Sequence, residues 1–371
     1  MYEKNLDYFR GLFAVLVVFA HTYQILLLPL VYDEDSILLK IVQFIAAYAV
    51  IGFILISGYS IASSLHFNYL VNNKKIDIIL FVRKRIYRIL PPFLLSLFIM
   101  IFLVFIIQYF SLNGSEAYRL EDSKYVPREK AIYDWNLIFC NLLFLPKVIY
   151  NINTPTMNGP LWSLNFEVYF YLLFASMVLL IINLRNKGKK FLILILISII
   201  TLILFFQFFY NHYINVQFLY LFMIFSVGAL SFYFKYYKFL NKLLIKIFLS
   251  VLLLIIIFIF IYKIELFLPY LGVNNYNIMV LFSIILVLFY SLFLSNKNLY
   301  GSEFFLSVSK YSYTLYIIHF PLLLLFFLSL FHKKIYTFDI LELIILLVCI
   351  NFCIFKFCKI SSYVVERKNY K

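Results

Sequence analysis

The chain has 371 residues, of which 65% are hydrophobic, 21% aromatic and only 13% charged, and its mean hydropathy is +0.96. A water-facing surface needs about a quarter of all residues to be Asp, Glu, Lys or Arg, so this composition excludes an ordinary soluble protein and indicates a bilayer. The net charge of +15 would suggest nucleic acid if the basic residues formed one stripe, but they are spread over many loops, so no nucleic-acid partner is expected.

Apolar stretches long enough to cross a bilayer recur along the whole chain. A hydrocarbon core about 30 Å thick needs about 20 mostly apolar residues per helix. About ten stretches meet that standard, near 8–30, 41–65, 89–110, 160–183, 191–210, 216–234, 244–262, 276–295, 309–331 and 339–358. The sequence therefore predicts an all-α, polytopic membrane protein with a single domain over 1–371. The long loop 111–159 contains an apolar run, 137–145, that is too short to cross and predicts an interfacial or re-entrant segment.

The distribution of Lys and Arg predicts the orientation of the helices. Ten spans place both termini on one side, and that side holds most of the 32 basic residues, above all in the segments 74–88, 185–190 and 235–246. The positive-inside rule therefore predicts cytoplasmic termini. Segment 111–159 is then extracytoplasmic, and acidic residues offset its basic ones.

Few polar residues lie inside the predicted spans, where a charged side chain costs about 2.5–3.5 kcal/mol on insertion scales. Arg10 and His21 are about three helical turns apart, so they share a face of the first helix at a separation of about 16 Å. Glu167 follows Pro160 in the fourth span and is expected about 10 Å below the outer boundary, nearly level with His21. The two side chains are thus able to meet. A structural polar pair, or a proton-coupled transporter with a membrane carboxylate, would account for the same residues.

Segment 81–92 is the densest basic cluster and is expected on the cytoplasmic side, just before the third helix. A topology anchor attracted to anionic lipid explains most clusters of this kind. Arg83, Arg85 and Arg88 beside Arg10 would also form a multidentate site for a phosphate-rich ligand.

The ninth span carries a polar face. Ser312, Tyr316 and His319 follow helical spacing and lie on one side of the helix just before Pro321. The four cysteines lack the spacing of metal ligands, and no metal site is predicted.

The motifs together resemble a known family. Leu6 to Gly11 followed by His21 resembles the opening signature of the bacterial acyltransferase-3 family of integral membrane O-acyltransferases, an Arg followed by ten residues and a His. Four further segments resemble its later motifs in the family's order: Gly52 to Tyr59, Arg83 to Pro91, Pro160 to Glu167, and Ser312 to Pro321. Three positions depart from the family's pattern: Lys84, where the family often has Arg, and Val168 and Tyr169 after Glu167, where a second acidic residue and a Gln are common.

The resemblance implies transfer of an acyl group, usually acetyl, from cytoplasmic acyl-CoA to a sugar hydroxyl on a surface polysaccharide or its lipid-linked precursor, in the bacterial cytoplasmic membrane. His21 would be the general base, and Glu167 would either orient it or bind sugar hydroxyls. The predicted phosphate ligands are Arg10, Arg83, Arg85 and Arg88. The predicted acceptor-site residues are Trp162, which would stack on a sugar ring, Ser163, Ser312, Tyr316 and His319. Direct transfer and a transient acyl-enzyme on Ser163 or Ser312 are both open, with direct transfer favoured.

The expected partners are acyl-CoA as donor substrate, a carbohydrate acceptor and membrane lipid, with no permanently bound cofactor. Many relatives carry an extracytoplasmic hydrolase-like domain after the helices. This chain ends at Lys371, soon after the tenth predicted span, and is expected to be the stand-alone form. The alternatives are a transporter or exporter of polysaccharide or lipid-linked sugar, and a membrane scaffold or sensor without chemistry.

Overall fold

The computed structural model describes residues 4–27, 37–73, 75–110, 134–149, 152–185, 216–236, 283, 302–327 and 339–366. Within these residues nearly all of the chain is helical and no β-strand occurs, which confirms the predicted all-α class. The helices are α1 (Lys4–Thr22), α2 (Ile37–Val71), α3 (Ile78–Tyr109), α4 (Trp135–Leu142), α5 (Trp162–Arg185), α6 (Val216–Tyr236), α7 (Ser302–Ser309), α8 (Ser312–Phe326) and α9 (Ile340–Val365). The predicted spans 191–210 and 244–262, and 276–295 apart from residue 283, lie outside the described residues. The total of about ten spans and the side on which the termini lie stay predictions.

Five described helical segments are long and apolar enough to cross a membrane: Lys4–Leu27, Ile37–Val71, Ile78–Tyr109, Met157–Leu179 and Leu341–Val365. Two shorter apolar helices, α6 and α8, pack among them. The chain is therefore a multi-pass membrane protein. Most of the buried apolar side chains form one large cluster that includes residues of most helices, among them Phe93, Phe166, Phe225 and Phe320.

Helices α2 and α3 are longer than the sequence predicts. With 35 and 32 residues they are about 50 Å long, so several turns of each extend beyond a hydrocarbon core of about 30 Å. Helix α3 starts at Ile78 because Asp77 caps it, its carboxylate accepting a hydrogen bond from the backbone N–H of Leu80 at 2.9 Å. The prediction that the basic cluster 81–92 precedes the third helix is wrong, because these residues form the first turns of α3.

The ninth predicted span is broken near its start. Helix α7 ends at Ser309, and α8 begins at Ser312 after a short turn. Glu366, at the end of α9, accepts hydrogen bonds from the backbone N–H of Thr314, at 3.0 Å, and from its hydroxyl. A carboxylate is favourable at this position because the N-terminus of a helix carries partial positive charge. This contact ties α9 to the start of α8.

Small residues let α2 approach α6 closely. A Cβ atom added to Gly58 would lie 2.0 Å from the carbonyl oxygen of Phe225, and one added to Gly228 would lie 2.0 Å from that of Leu55. Glycine at facing positions is a common way for membrane helices to pack backbone against backbone. Helix α1 also packs on α2. The close contact between α2 and α6 therefore helps to hold the polar residues of α1 and α2 in position.

The segment before α5 is held by buried asparagines. Asn165 Nδ2 donates to the carbonyl of Pro146 at 3.1 Å and to Oδ1 of Asn141, in α4, at 3.4 Å. A 3-10 helix at Thr156–Leu161 then leads into α5, and Asn158 Nδ2 donates to the carbonyl of Ile317 in α8 at 2.9 Å. Helix α4 overlaps the apolar run 137–145, whose interfacial or re-entrant placement stays a prediction.

Candidate functional site

His21 of α1 and His319 of α8 form a histidine pair. Their ring centroids are 5.3 Å apart with planes inclined by 33°, and the ring of Phe320 lies edge-on to His21 at 5.1 Å. His21 Nδ1 lies 2.8 Å from Oε1 of Gln24, which is in the π-helical turn Tyr23–Leu27 that extends α1. Such π-turns are frequent at functional sites. The first and ninth predicted spans are thus joined at their histidines.

The tautomer of His319 follows from its surroundings. Its Nδ1 lies 3.0 Å from the backbone carbonyl of Leu315, and a carbonyl only accepts hydrogen bonds, so Nδ1 carries the proton. Nε2 therefore carries a lone pair. The side chain is fully buried, and within the described residues this Nε2 has no hydrogen-bond partner.

Two other predicted acceptor-site residues lie beside the histidine pair. The hydroxyls of Ser163 and Tyr316 are 2.6 Å apart and both residues are buried. The Tyr316 ring is 6.1 Å from that of His319. The start of α5 and the middle of α8 thus bring Ser163, Tyr316 and His319 together next to His21.

The other two acceptor-site predictions have different surroundings. Ser312 donates to the carbonyl of Ser309 at 3.0 Å and so supports the break between α7 and α8, one helical turn before Tyr316. Trp162 is half-buried and lies edge-on to Phe166 at 5.5 Å.

A second polar group, the arginine–carboxylate network, lies where α1, α2, α3 and α5 meet. Arg10 donates to Asp7 Oδ1 at 2.6 Å and to Ser60 Oγ at 2.5 Å, and Arg85 donates to Ser64 Oγ at 2.9 Å. Arg88 is close enough to Arg10 for their charges to interact. Serines of α2 therefore hold arginines that come from both α1 and α3.

Glu167 belongs to this network. Its carboxylate accepts hydrogen bonds from the hydroxyls of Ser57 and Tyr171. Ser57 is one helical turn from Ser60, which binds Arg10, so Glu167 is at the depth of the arginines. The equal depth predicted for His21 and Glu167 assumed untilted helices, whereas the structure gives these two side chains separate hydrogen-bond partners.

Two tyrosines connect the charges of the network. Tyr171 interacts electrostatically with Glu167, Arg85 and Arg88, and its ring lies 5.9 Å from the guanidinium carbon of Arg85. Tyr313 of α8 lies within electrostatic range of Glu167, Arg88 and Glu366. Burial raises the pKa of the Glu366 carboxyl above its ordinary value, although the hydrogen bonds from Thr314 act in the opposite direction.

The structure divides the basic cluster of α3. Arg85 and Arg88 are half-buried and face the network, whereas Arg83 and Lys84 are exposed. Arg83 is two residues from Arg85, about 200° around the helix, and its guanidinium lies 5.5 Å from the Tyr87 ring centroid. Three of the four predicted phosphate ligands therefore come together, and Arg83 does not join them.

Sequence reasoning missed several members of both groups: Asp7, Gln24, Ser60, Ser64, Tyr171 and Glu366. Ser57, Ser60 and Ser64 recur at helical spacing within an apolar helix, so a polar face of α2 was detectable in the sequence. Nothing comparable marks Gln24 or Glu366, because their roles depend on contacts between distant segments.

Comparison with known proteins identifies the family to which the chain belongs. A family model described as an acyltransferase domain matches residues 3–355. No match was found among curated proteins or among solved structures. The matched range contains the histidine pair and all of the network except Glu366.

Proposed function

Because the chain belongs to the acyltransferase-3 family and is a multi-pass membrane acyltransferase, we propose that it transfers an acetyl group from cytoplasmic acetyl-CoA to a sugar hydroxyl of a surface polysaccharide or its lipid-linked precursor. The observation that carries the proposal is on α1. Its cytoplasmic end, in the predicted orientation, presents Arg10 to a cluster of arginines, and about three turns further on it presents His21 to a second buried histidine. The bacterial cytoplasmic membrane is part of the same proposal.

The two ends of CoA suit these two groups. CoA carries several phosphates at one end and its thioester at the end of a long, thin arm. Guanidinium groups of Arg10, Arg85 and Arg88 bind phosphates through charge-assisted, bidentate hydrogen bonds. Arg83, which is exposed, adds positive charge at the mouth of this site. The arm then extends along α1 toward His21.

At His21 the neutral imidazole takes the proton of the acceptor hydroxyl as its oxygen attacks the thioester carbonyl. The new C–O bond forms, the C–S bond breaks, and the proton passes to the sulfur of the departing CoA. General base catalysis of this kind contributes a factor of about 10²–10⁴ in rate.

The surroundings of the two serines support direct transfer over an acyl-enzyme. Ser163 is hydrogen-bonded to a phenol, that of Tyr316, and Ser312 donates to a backbone carbonyl. Neither contact supplies the adjacent base that a serine nucleophile requires. In the proposal Ser163 and Tyr316 bind the acceptor, and Trp162 stacks on its sugar ring.

Glu167 has a supporting part in the proposal. Its hydrogen bonds with Ser57 and Tyr171 place a negative charge beside the arginines. That charge lowers the cost of keeping arginines inside the membrane before the donor binds. The structure thus favours a part for Glu167 in donor binding over the orientation of His21.

Mass spectrometry of surface glycans tests the proposal. Cells that express wild type are expected to carry acetylated glycans, and cells that express His21→Ala at equal protein level are expected to lose the modification. Equal acetyl content in the two would refute the assignment of His21. Loss of glycan from the surface, with acetylation per sugar unchanged, would favour a transporter or exporter instead.

A further inference from the structure

His319 presents a buried hydrogen-bond acceptor whose use is unexplained by the fold. Its Nδ1–H is committed to the carbonyl of Leu315 in the preceding turn, so the lone pair is on Nε2. Buried polar atoms in folded proteins almost always have a partner, and an exception requires an explanation. An apolar side chain would fill this fully buried position without leaving such an atom.

The ring of His21 lies against that of His319. The ring centroids are 5.3 Å apart, and among the described residues His21 is an ionisable group that acts electrostatically on His319. Two adjacent positive charges repel, so a pair of buried imidazoles holds at most one extra proton, and the two rings titrate as a unit. His21 Nδ1–H donates to Oε1 of Gln24, which leaves Nε2 of His21 as its basic nitrogen, so each ring has its lone pair on Nε2.

We propose that His319 is a positioning residue for acyl transfer, acting through His21, and that the two imidazoles share the proton taken from the acceptor; this rests on the function proposed above. The acceptor O–H bond breaks, the oxygen bonds to the acyl carbon, and the proton moves to Nε2 of His21. Nε2–H of the resulting His21 imidazolium donates to Nε2 of His319, and the proton then passes to the sulfur of the departing CoA when the C–S bond breaks. Catalytic hydrogen bonds are often long in ligand-free proteins and shorten in the complex with substrate.

Two near-isosteric substitutions of His319 distinguish proton sharing from a purely structural role. The amide nitrogen of His319→Asn replaces Nδ1 and keeps the hydrogen bond to Leu315, but the variant lacks Nε2. The amide of His319→Gln reaches the position of Nε2, where its oxygen accepts a hydrogen bond without taking a proton. Both variants fill most of the volume of the imidazole.

The assay uses the full chain in membrane vesicles from the expressing cells, radiolabelled acetyl-CoA as donor and the glycan of those vesicles as acceptor. We expect both variants to keep the apparent Tm and the KM for acetyl-CoA within about twofold, and kcat to fall by about 100-fold. Full kcat in His319→Asn would reduce His319 to a structural residue. Full kcat in His319→Gln would show that accepting a hydrogen bond is enough, and would overturn proton sharing. If His319→Asn does not fold, His319→Gln carries the test.

A double variant tests whether His319 acts through His21. Residues that work as one unit have non-additive effects on rate, so His319→Asn is expected to cost no further activity once His21 is Ala. A full additional 100-fold loss in the double variant would overturn the inference. Absence of acetyl transfer by the wild type would instead refute the proposed function, so the two failures are distinguishable.

Discussion

Replacing Gly58 by Ala tests how closely α2 and α6 must approach. The added Cβ would lie 2.0 Å from the carbonyl oxygen of Phe225, and an ordinary contact needs at least 3.4 Å, so the helices must separate by about 1.4 Å. Forcing extra volume into a packed interior costs about 1–3 kcal/mol, while Ala gains up to about 1 kcal/mol over Gly in helix propensity. We expect a net loss of about 1–2 kcal/mol. Transfer activity should fall as well, because the neighbouring Ser57 donates to Glu167.

Thermal unfolding of the purified protein in detergent measures the effect. At an unfolding entropy of about 2.1 cal/mol/K per residue over 371 residues, the loss corresponds to a fall in apparent Tm of roughly 1–3 °C. Gly52→Ala is the matched control in the same helix, because its added Cβ meets the end of the Phe13 ring, a side chain that is able to rotate away. Gly58→Ala with Gly228→Ala should cost less than the sum of the two single changes, since one separation relieves both clashes. An equal loss in Gly52→Ala and Gly58→Ala, or additive losses in the double variant, would refute this reasoning.

Two predictions concern the charges. Because burial raises the pKa of Glu366, folding favours its protonated form, and its contribution to stability is present below the ordinary Glu value and lost as pH rises through the raised pKa. Glu366→Gln should remove this pH dependence of the apparent Tm, whereas Glu366→Ala should also lose the acceptor for Thr314 and be less stable than Gln. Arg85→Ala should weaken acetyl-CoA binding at least tenfold, while Lys84→Ala, with the same charge change on the exposed side, should leave it within twofold. Isothermal titration with acetyl-CoA measures both affinities. Equal effects of the two substitutions would indicate that the basic cluster only anchors the membrane topology and does not bind the donor.

The sequence predicts which residues share a face within a single helix. Arg10 and His21 share a face of α1 because helical periodicity is local, and the polar face of Ser312, Tyr316 and His319 in α8 follows from the same rule. Tertiary pairing does not follow from periodicity. Helical rise puts Glu167 nearly level with His21, where the two are able to meet, but the packing of α5 against α2 gives the Glu167 carboxylate Ser57 and Tyr171 as hydrogen-bond partners.

The start of α3 shows a limit of predicting helix boundaries from hydropathy. A window that seeks apolar residues rejects the basic turns at 81–90, yet Arg and Lys are good helix formers and their aliphatic stems pack along apolar surfaces. The helix therefore continues from Ile78 through Pro91 and Pro92 to Tyr109. This extension brings Arg85 to Ser64 of α2 and Arg88 within electrostatic range of Arg10, and a flexible basic loop would not hold them there.

Among the described residues, the network contains as many carboxylates as inward-facing arginines, and this balance bears on how the proposed phosphate-rich donor would bind. Asp7 pairs with Arg10 directly at 2.6 Å, Tyr171 lies between Glu167 and Arg85, and Glu366 is within electrostatic range of Arg88. Such counter-charges lower the cost of holding arginines in a membrane. In the proposed function, an entering phosphate would compete with these carboxylates. The binding free energy is then the difference between two charge-assisted contacts, which favours a ligand that engages several arginines at once over a single free phosphate.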